Sequence, residues 1–192
     1  MEMKKLRRAA GVTAAVVAVG AGGVAAIGAS ASDAGKAGGG HVAKIKMEVK
    51  GKGKNADLFF QGPNKVEKGS KLKIINKTLP SKVGPHTFTL VKQNRLPKSK
   101  KAIKDCENLK LAVCVNAFKA HEVDPNTFEV NRPKVEVGKK GWDKSFGKTG
   151  DSVYLGTQGA HNTRKVSAND GKTLYYFCLV HPFMQGKIKV VK

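Results

Sequence analysis

Hydrophobic and polar residues alternate along much of the chain, and this alternation predicts β-strands. Between residues 43 and 50, four apolar side chains alternate with four charged ones. Such a period of two is typical of a strand with one buried face. Further strands are predicted where apolar, β-branched or aromatic residues cluster between Gly, Pro and Asn turns: residues 57–61, 72–76, 86–92, 152–155, 163–168, 173–180 and 187–191. We therefore expect an all-β domain over residues 41–192.

The N-terminal residues follow a different pattern. Two lysines and two arginines precede a run of uncharged residues from 9 to 28, rich in Ala, Val and Gly, and Ala29, Ser30 and Ala31 suit a cleavage site. This order is typical of a secretory signal peptide. We predict a signal peptide over residues 1–31, with an uncleaved membrane anchor as the alternative, and a flexible Gly/Ala-rich linker over 32–40. The protein is expected to be exported: periplasmic, in the cell envelope or extracellular.

Residues 93–150 interrupt the strand pattern and read as an insertion. The apolar residues between positions 103 and 117 recur at helical spacing. Cys106 and Cys114 lie within this segment, and an exported protein favours their pairing. In one straight helix their Cα atoms would be roughly 12 Å apart, whereas a disulfide needs less than about 7 Å. Either the helix breaks, and residues 108–111 are the expected place, or the bond does not form. Trp142 and Phe146 are expected to pack the insertion onto the sheet.

The charge of the chain is strongly positive. The formal net charge is +22, and nearly all the cations are lysines. Arginine is the residue that best reads phosphates and base edges, and its scarcity, together with the export signal, argues against nucleic acid as a partner. A redox partner with an acidic docking surface, or an anionic polymer of the cell envelope, fits better. A lysine surface that serves solubility alone is the simpler alternative.

The candidate chemistry lies near the C-terminus. Cys178, His181 and Met184 follow the predicted strand 173–180 and precede the last strand. Thiolate and thioether sulfur select copper, and two histidines, one cysteine and a weak axial methionine form the blue-copper site. His86 is the predicted second histidine. The structural alternative for Cys178 and Met184 is core packing, and zinc is the alternative metal, although zinc has little use for a thioether. His121 and His161 have no partner at ligand spacing.

At these residues the chain resembles the cupredoxins, the small type 1 copper proteins, and its C-x-x-H-x-x-M spacing is similar to the short ligand loop of amicyanin. The resemblance implies a Greek-key β-sandwich, here with a partly helical insertion. It also implies that His86, Cys178 and His181 are equatorial copper ligands and Met184 the axial one. The residue after the first histidine is often Asn in this family, where it links the two ligand loops. Here it is Thr87, and a hydroxyl offers fewer hydrogen bonds than an amide.

The function implied is one-electron transfer through one type 1 copper, by a protein that is not itself an enzyme and is expected to be monomeric. Multicopper oxidases need further copper sites built from additional histidines, and this chain has five histidines and no His-x-His pair. Copper sequestration or delivery would use the same ligands and stays open as the alternative. A metal-free module that binds anionic polymers through its lysines is a further alternative.

Overall fold

Two β-sheets form the described part of the chain. The structure is a computed structural model that describes residues 41–51, 57–124, 130, 134–138 and 141–192. The predicted signal peptide (1–31) and linker (32–40) lie outside the described residues. The strands are β1 (Val42–Lys50), β2 (Asp57–Gln61), β3 (Lys65–Glu67), β4 (Lys71–Asn76), β5 (His86–Val91), β6 (Glu136–Val137), β7 (Gly141–Trp142), β8 (Ser152–Leu155), β9 (His161–Val166), β10 (Thr173–Phe177) and β11 (Gln185–Val191).

The strand order within each sheet shows how distant segments are brought together. The first sheet has the order β2-β1-β4-β9-β7, and the second has β3-β11-β10-β5-β8-β6. β1 runs parallel to β4, whereas β5 pairs antiparallel with both β10 and β8. The pairing of β5 with β10 matters most for function, because it places the start of one strand beside the end of the other.

The core lies between the inner faces of the two sheets. The alternation seen in the sequence is the cause: Ile45, Met47, Leu72 and Ile74 of the first sheet are fully buried, and they face Phe88, Leu90, Leu174 and Ile188 of the second. The Phe88 ring packs edge-on against Trp142, with centroids 5.0 Å apart. Trp142 therefore fixes the insertion to the sheet, as predicted.

One glycine of the core is required by packing rather than by a turn. A Cβ atom on Gly186, inside β11, would lie 2.3 Å from Cε2 of Tyr176. The ring of Tyr176 thus occupies the space that any other side chain at position 186 would need.

In its described residues the insertion contains two α-helices and contributes strands to both sheets. A short helix α1 (Pro80–Val83) precedes β5, and a 3₁₀ turn (Gln93–Arg95) follows it. The insertion helices are α2 (Lys100–Glu107) and α3 (Ala112–Ala120). Its strands β6 and β7 pair with β8 and β9. None of the described helices is long and apolar enough to cross a membrane.

The predicted disulfide is present, and the helix breaks between its two cysteines as predicted. Cys106 and Cys114 are bonded, with their Cα atoms 5.5 Å apart. The helix breaks between them, where Leu109 adopts a left-handed backbone with φ of 53°. The side chains of both cysteines are buried with apolar residues of β5, of the insertion itself and of the segment around Cys178: Val91, Phe146, Phe177 and Leu179. The insertion therefore covers the outer face of the second sheet. A cupredoxin-like β-sandwich with a partly helical, disulfide-closed insertion is confirmed.

Candidate metal centre

One of the four predicted ligands lies in strand β5 of the second sheet, and the other three lie in the loop between β10 and β11. His86 is the first residue of β5, Cys178 directly follows β10, and Met184 directly precedes β11. His181 lies in the loop between them. Two backbone hydrogen bonds tighten this loop: the Met184 N–H donates to the His181 carbonyl (2.8 Å), and the Cys178 N–H donates to the Met184 carbonyl (3.0 Å). The loop folds back on itself, so its three candidate ligands lie at one end of the sandwich.

Three potential ligand atoms form a small triangle. The Sγ of Cys178 lies 3.7 Å from Nδ1 of His86 and 3.7 Å from Nδ1 of His181, and the two Nδ1 atoms are 3.2 Å apart. A point equidistant from all three corners is about 2 Å from each, which is close to the length of metal–nitrogen and metal–sulfur bonds in proteins. The triangle therefore has the dimensions of a trigonal metal plane.

Hydrogen bonds select the tautomer of His86 that can bind a metal. Nε2 of His86 lies 2.9 Å from Oγ1 of Thr78, and that hydroxyl donates to Oδ1 of Asn76 (2.8 Å). Because the Thr78 proton is committed to Asn76, the Thr78 oxygen accepts from the N–H of His86. Nδ1 is then left with its lone pair directed away from this hydrogen bond and available to a metal.

The position of Asn76 is itself fixed. Its Oδ1 also accepts from the backbone N–H of Thr78 (2.9 Å), and its Nδ2 donates to the carbonyl of Leu155 (3.0 Å). Asn76 and Thr78 are fully or almost fully buried. The sequence analysis missed Thr78 as a partner of His86. The available signal was the Asn-Lys-Thr sequence, because Asn side chains readily bond the backbone N–H two residues later.

Thr87 joins the two ligand segments with two hydrogen bonds. Its backbone N–H donates to Sγ of Cys178 (3.3 Å), and its Oγ1 accepts from the backbone N–H of Leu179 (2.7 Å). The threonine thus links β5 to the ligand loop with its hydroxyl, where an Asn was expected from the family resemblance. An N–H that points at sulfur also favours the thiolate over the thiol.

Burial keeps the candidate ligands uncharged in the absence of a cation. Burial raises the pKa of the Cys178 thiol, and hydrogen bonds from the Thr87 backbone oppose this shift. Burial, and secondarily the neighbouring His181, lowers the pKa of His86 to about 4. Burial also lowers the pKa of His181, against a backbone hydrogen bond to Val83. Both imidazoles are therefore neutral at pH 7, the form that binds metals.

The donor set fits a soft metal ion. A fully buried thiol beside two neutral imidazoles can shed its proton when a cation compensates the charge. Met184 is 1% exposed and packs in the same core cluster as Cys178. It adds a thioether, which favours copper over harder cations. Within the described part of the chain, His86, Cys178 and His181 are the group of three or more potential metal-binding His, Cys, Asp or Glu side chains whose ligand atoms lie close together.

The other two histidines placed by the sequence analysis do not join this cluster. His121 is fully buried at the end of α3, where Nδ1 donates to the carbonyl of Lys134 (2.6 Å) and Nε2 lies 2.8 Å from Oγ of Ser152. His161 begins β9, two residues before the predicted start of that strand, is exposed, and has Nδ1 3.2 Å from the carbonyl of Gly159. The role of His121 is structural: its hydrogen bond to Ser152 connects the insertion to β8.

Comparisons with known proteins find matches among solved structures. Neither a protein-family model nor a curated protein sequence matches this chain. A purple cupredoxin from Nitrosopumilus maritimus is 14% identical, with 77% of this chain and 98% of that chain covered and a TM-score of 0.38. Auracyanin A, a blue copper protein from Chloroflexus aurantiacus, is 19% identical, with 79% and 99% covered and a TM-score of 0.38. A reduced auracyanin from Roseiflexus castenholzii is 16% identical, with 80% and 100% covered and a TM-score of 0.40.

The described fold and site are cupredoxin-like in their own right. Two packed sheets carry a histidine at the start of one strand and a Cys, His and Met in the loop between two others, as the resemblance in the sequence implied.

Proposed function

We propose that this protein is an exported type 1 copper protein that transfers single electrons between redox partners. The observation that carries the proposal is the triangle of Cys178 Sγ, His86 Nδ1 and His181 Nδ1, whose sides are 3.7, 3.7 and 3.2 Å. One copper ion held by these atoms, with Met184 as the axial ligand, would supply the Cu(II)/Cu(I) couple.

The protein's contribution is to hold the ligands still while the charge changes. His86 is fixed through Thr78 and Asn76, and Cys178 is fixed through Thr87. Buried, hydrogen-bonded ligands keep one arrangement in both oxidation states, because a close-packed core leaves them little space to move. Fixed outer partners of this kind also tune the metal. A small structural change on electron transfer is the physical basis for a fast carrier.

The second sheet and the insertion keep water from the site. Cys178 and His86 are fully buried. On either side of Cys178, Phe177 and Leu179 pack into the apolar cluster under the insertion helices. A dry, low-dielectric surrounding strengthens electrostatic effects on the metal and hence on its potential.

His181 offers the route by which electrons enter and leave. It is half-buried, whereas His86 is fully buried. Phe183, which is 48% exposed, lies beside it with ring centroids 5.9 Å apart. A partner that docks on Phe183 would come within contact distance of the His181 ring.

An acidic partner fits the charges around this end of the sandwich. Lys77 and Lys82 are exposed on the segment that leads from β4 to His86. Gly84, on the same segment, lies against His181, since a Cβ atom there would be 3.8 Å from its Cε1. Lysines at the rim of a docking surface raise the rate of association with an acidic partner and make that rate sensitive to salt.

The test is Cu(II) titration of the purified domain, with visible and EPR spectra, beside a Cys178→Ser variant. An intense blue charge-transfer band with narrow copper hyperfine splitting, lost in the variant, supports the proposal. A Cys106→Ser/Cys114→Ser variant is the matched control, since it removes the other two cysteine sulfur atoms and should keep the band. A folded wild-type protein without the band, or one that binds zinc in preference, overturns it.

A second measurement separates the carrier from a copper store or delivery protein. A carrier shows reversible one-electron voltammetry and keeps its copper in the presence of a competing apo-protein acceptor. Loss of the blue band to the acceptor, without reversible voltammetry, would favour delivery.

A further inference from the structure

The outer face of the first sheet carries a cluster of lysines that the electron-transfer function does not use. The side chains that point away from the core are read from the burial pattern: in β1, β4 and β9, buried residues alternate with exposed or half-buried ones. Six lysines of these strands lie on this outer face. Lys50 is at the far end of β1, where it pairs with Asp57, and we call the other five the lysine face: Lys44, Lys46, Lys71, Lys73 and Lys165.

The register of the strands brings these lysines into direct opposition. Lys44 pairs with Lys73 across β1 and β4, and Lys71 pairs with Lys165 across β4 and β9. Neighbouring strands are about 4.8 Å apart, and alternate residues along a strand are about 7 Å apart. The five ammonium groups therefore crowd a band only three strands wide.

Such an arrangement is unfavourable for the isolated protein. Like charges directly opposite each other in a sheet destabilise it. The ion pairs found among the described residues involve Lys101, Lys134 and Arg164, and none of them neutralises the lysine face. Glu48 lies two residues beyond Lys46 on the outer side of β1, past the residue that pairs with Asn76, and it takes part in none of these ion pairs. Scattered lysines would give the same solubility without this repulsion.

The two outer faces of the sandwich differ in what covers them. The insertion helices pack on the second sheet and bury apolar residues there. The second sheet also has one opposed lysine pair, Lys65 and Lys189. On the outer face of the first sheet the lysines are more numerous, and Lys44, Lys71 and Lys165 are exposed. An exposed cationic surface is thus available on the sheet that does not carry the insertion helices.

Most of the lysine face is remote from the candidate metal centre, and Lys46, which pairs with Ile75, is its nearest member. β4 runs from Lys71 to Asn76, and Asn76 bonds Thr78, which holds His86. The five steps along this strand span about 17 Å. A ligand on the band of Lys44, Lys71 and Lys165 therefore leaves His181 and Phe183 free for a redox partner.

We propose that the lysine face binds a linear polyanion with closely repeated phosphate or carboxylate groups. Lysine is a compact point charge that accepts any anion geometry, whereas planar, bidentate recognition calls for arginine. A band of five charges across three strands matches a chain laid across the sheet, with successive anionic groups meeting successive lysines. Such binding would retain an exported protein at an anionic polymer while its metal centre continues to exchange electrons. The proposal is independent of copper binding.

The test uses long-chain inorganic polyphosphate as the probe and measures binding as a function of salt. A lysine-face variant, Lys44→Gln/Lys71→Gln/Lys73→Gln/Lys165→Gln, is compared with a control that loses four exposed lysines of the insertion: Lys98→Gln/Lys104→Gln/Lys110→Gln/Lys119→Gln. Both variants lose the same charge. The slope of log K against log salt should be about −3.5 for five phosphate contacts. The magnitude of this slope should decrease by about 3 in the lysine-face variant, which should also bind at least tenfold more weakly at low salt. In the control, the slope should stay near the wild-type value.

Three results would overturn the proposal. Equal loss in both variants would mean that only the net charge matters. Wild-type protein that does not bind polyphosphate at low salt would exclude the site. Binding through the lysine face to vesicles that contain anionic phospholipid, without binding to polyphosphate, would identify a membrane surface as the partner.

Circular dichroism establishes that each variant is folded. Metal-free Cys178→Ser protein should bind polyphosphate as well as wild type, so failure of this proposal and failure of the copper proposal are distinguishable.

Discussion

Nε2 of His86 lies 2.9 Å from Oγ1 of Thr78, and this contact determines which ring nitrogen faces the candidate metal centre. The Thr78 hydroxyl gives its proton to Asn76, so it accepts from His86 and leaves Nδ1 as the free donor atom. Outer partners of this kind are worth 10- to 100-fold in metal affinity in characterised metal sites.

Thr78→Val should therefore weaken copper binding by about 10- to 100-fold and shift the charge-transfer band, because His86 loses the partner that fixes its tautomer. Thr78→Ser keeps the hydroxyl and should bind nearly as wild type does. Competition titration with a copper chelator measures both. Equal affinities for the Val and Ser variants would show that the hydroxyl has no such role.

The buried hydrogen bonds of His121 should contribute to stability rather than to copper binding. His121→Phe leaves the carbonyl of Lys134 without the ring N–H that donates to it, while the hydroxyl of Ser152 loses one of its two partners and keeps Thr89. A buried polar group without a partner costs about 1–3 kcal/mol, so we expect a loss of about 1–3 kcal/mol in the free energy of unfolding, measured in urea. His161→Phe is the control, since an exposed position should change stability by less than about 0.5 kcal/mol. A blue band lost only in the His121 variant would contradict this assignment.

Removal of the Cys106–Cys114 disulfide should lower the stability of the whole domain. The bond joins residues eight positions apart, and closing a loop of this size restricts the unfolded chain by about 2–3 kcal/mol. Cys106→Ala/Cys114→Ala should lower the midpoint of guanidinium unfolding accordingly. The copper spectrum should persist, because neither cysteine contributes to the triangle of ligand atoms. An unchanged midpoint would indicate that the insertion folds equally well without the bond.

The stability of the metal-free protein should fall as the solution is acidified. The pKa of His86 is lowered to about 4 by burial and by His181, whereas an unfolded histidine titrates near 6.5. The unfolded state then binds more protons than the folded state between pH 6.5 and 4. Stability is therefore full above pH 6.5 and is lost progressively toward pH 4, by at most about 3 kcal/mol for this residue.

Chemical denaturation at a series of pH values, with a His86→Gln variant alongside, measures this effect. The variant should lose part of the pH dependence in this window. The same slope in both proteins would assign the effect to other groups, of which His181 and His121 are the nearest candidates, because burial lowers their pKa values too.

Local sequence patterns were enough to predict the buried face of β1, the ligand loop and the break between the insertion helices. The alternation from Ala43 to Lys50 fixes which face of β1 is buried, because side chains of a strand point to opposite faces in turn. The Cys178, His181 and Met184 ligand loop could be recognised because its residues are close in sequence and chemically distinctive. The break between the insertion helices followed from helix geometry, since one straight helix holds Cys106 and Cys114 too far apart.

Tertiary structure decided what depends on distant segments. Thr78 meets His86 only because a loop folds back onto β5, and Thr87 meets Cys178 across 91 positions because β5 and β10 are neighbours. The burial of His121 and the opposition of Lys44 to Lys73 likewise depend on strand pairing. Sequence determined which residues could serve as ligands and which faces are apolar. Register and packing decided which of these residues meet, since a shift of one position would turn every side chain of a strand to the other face.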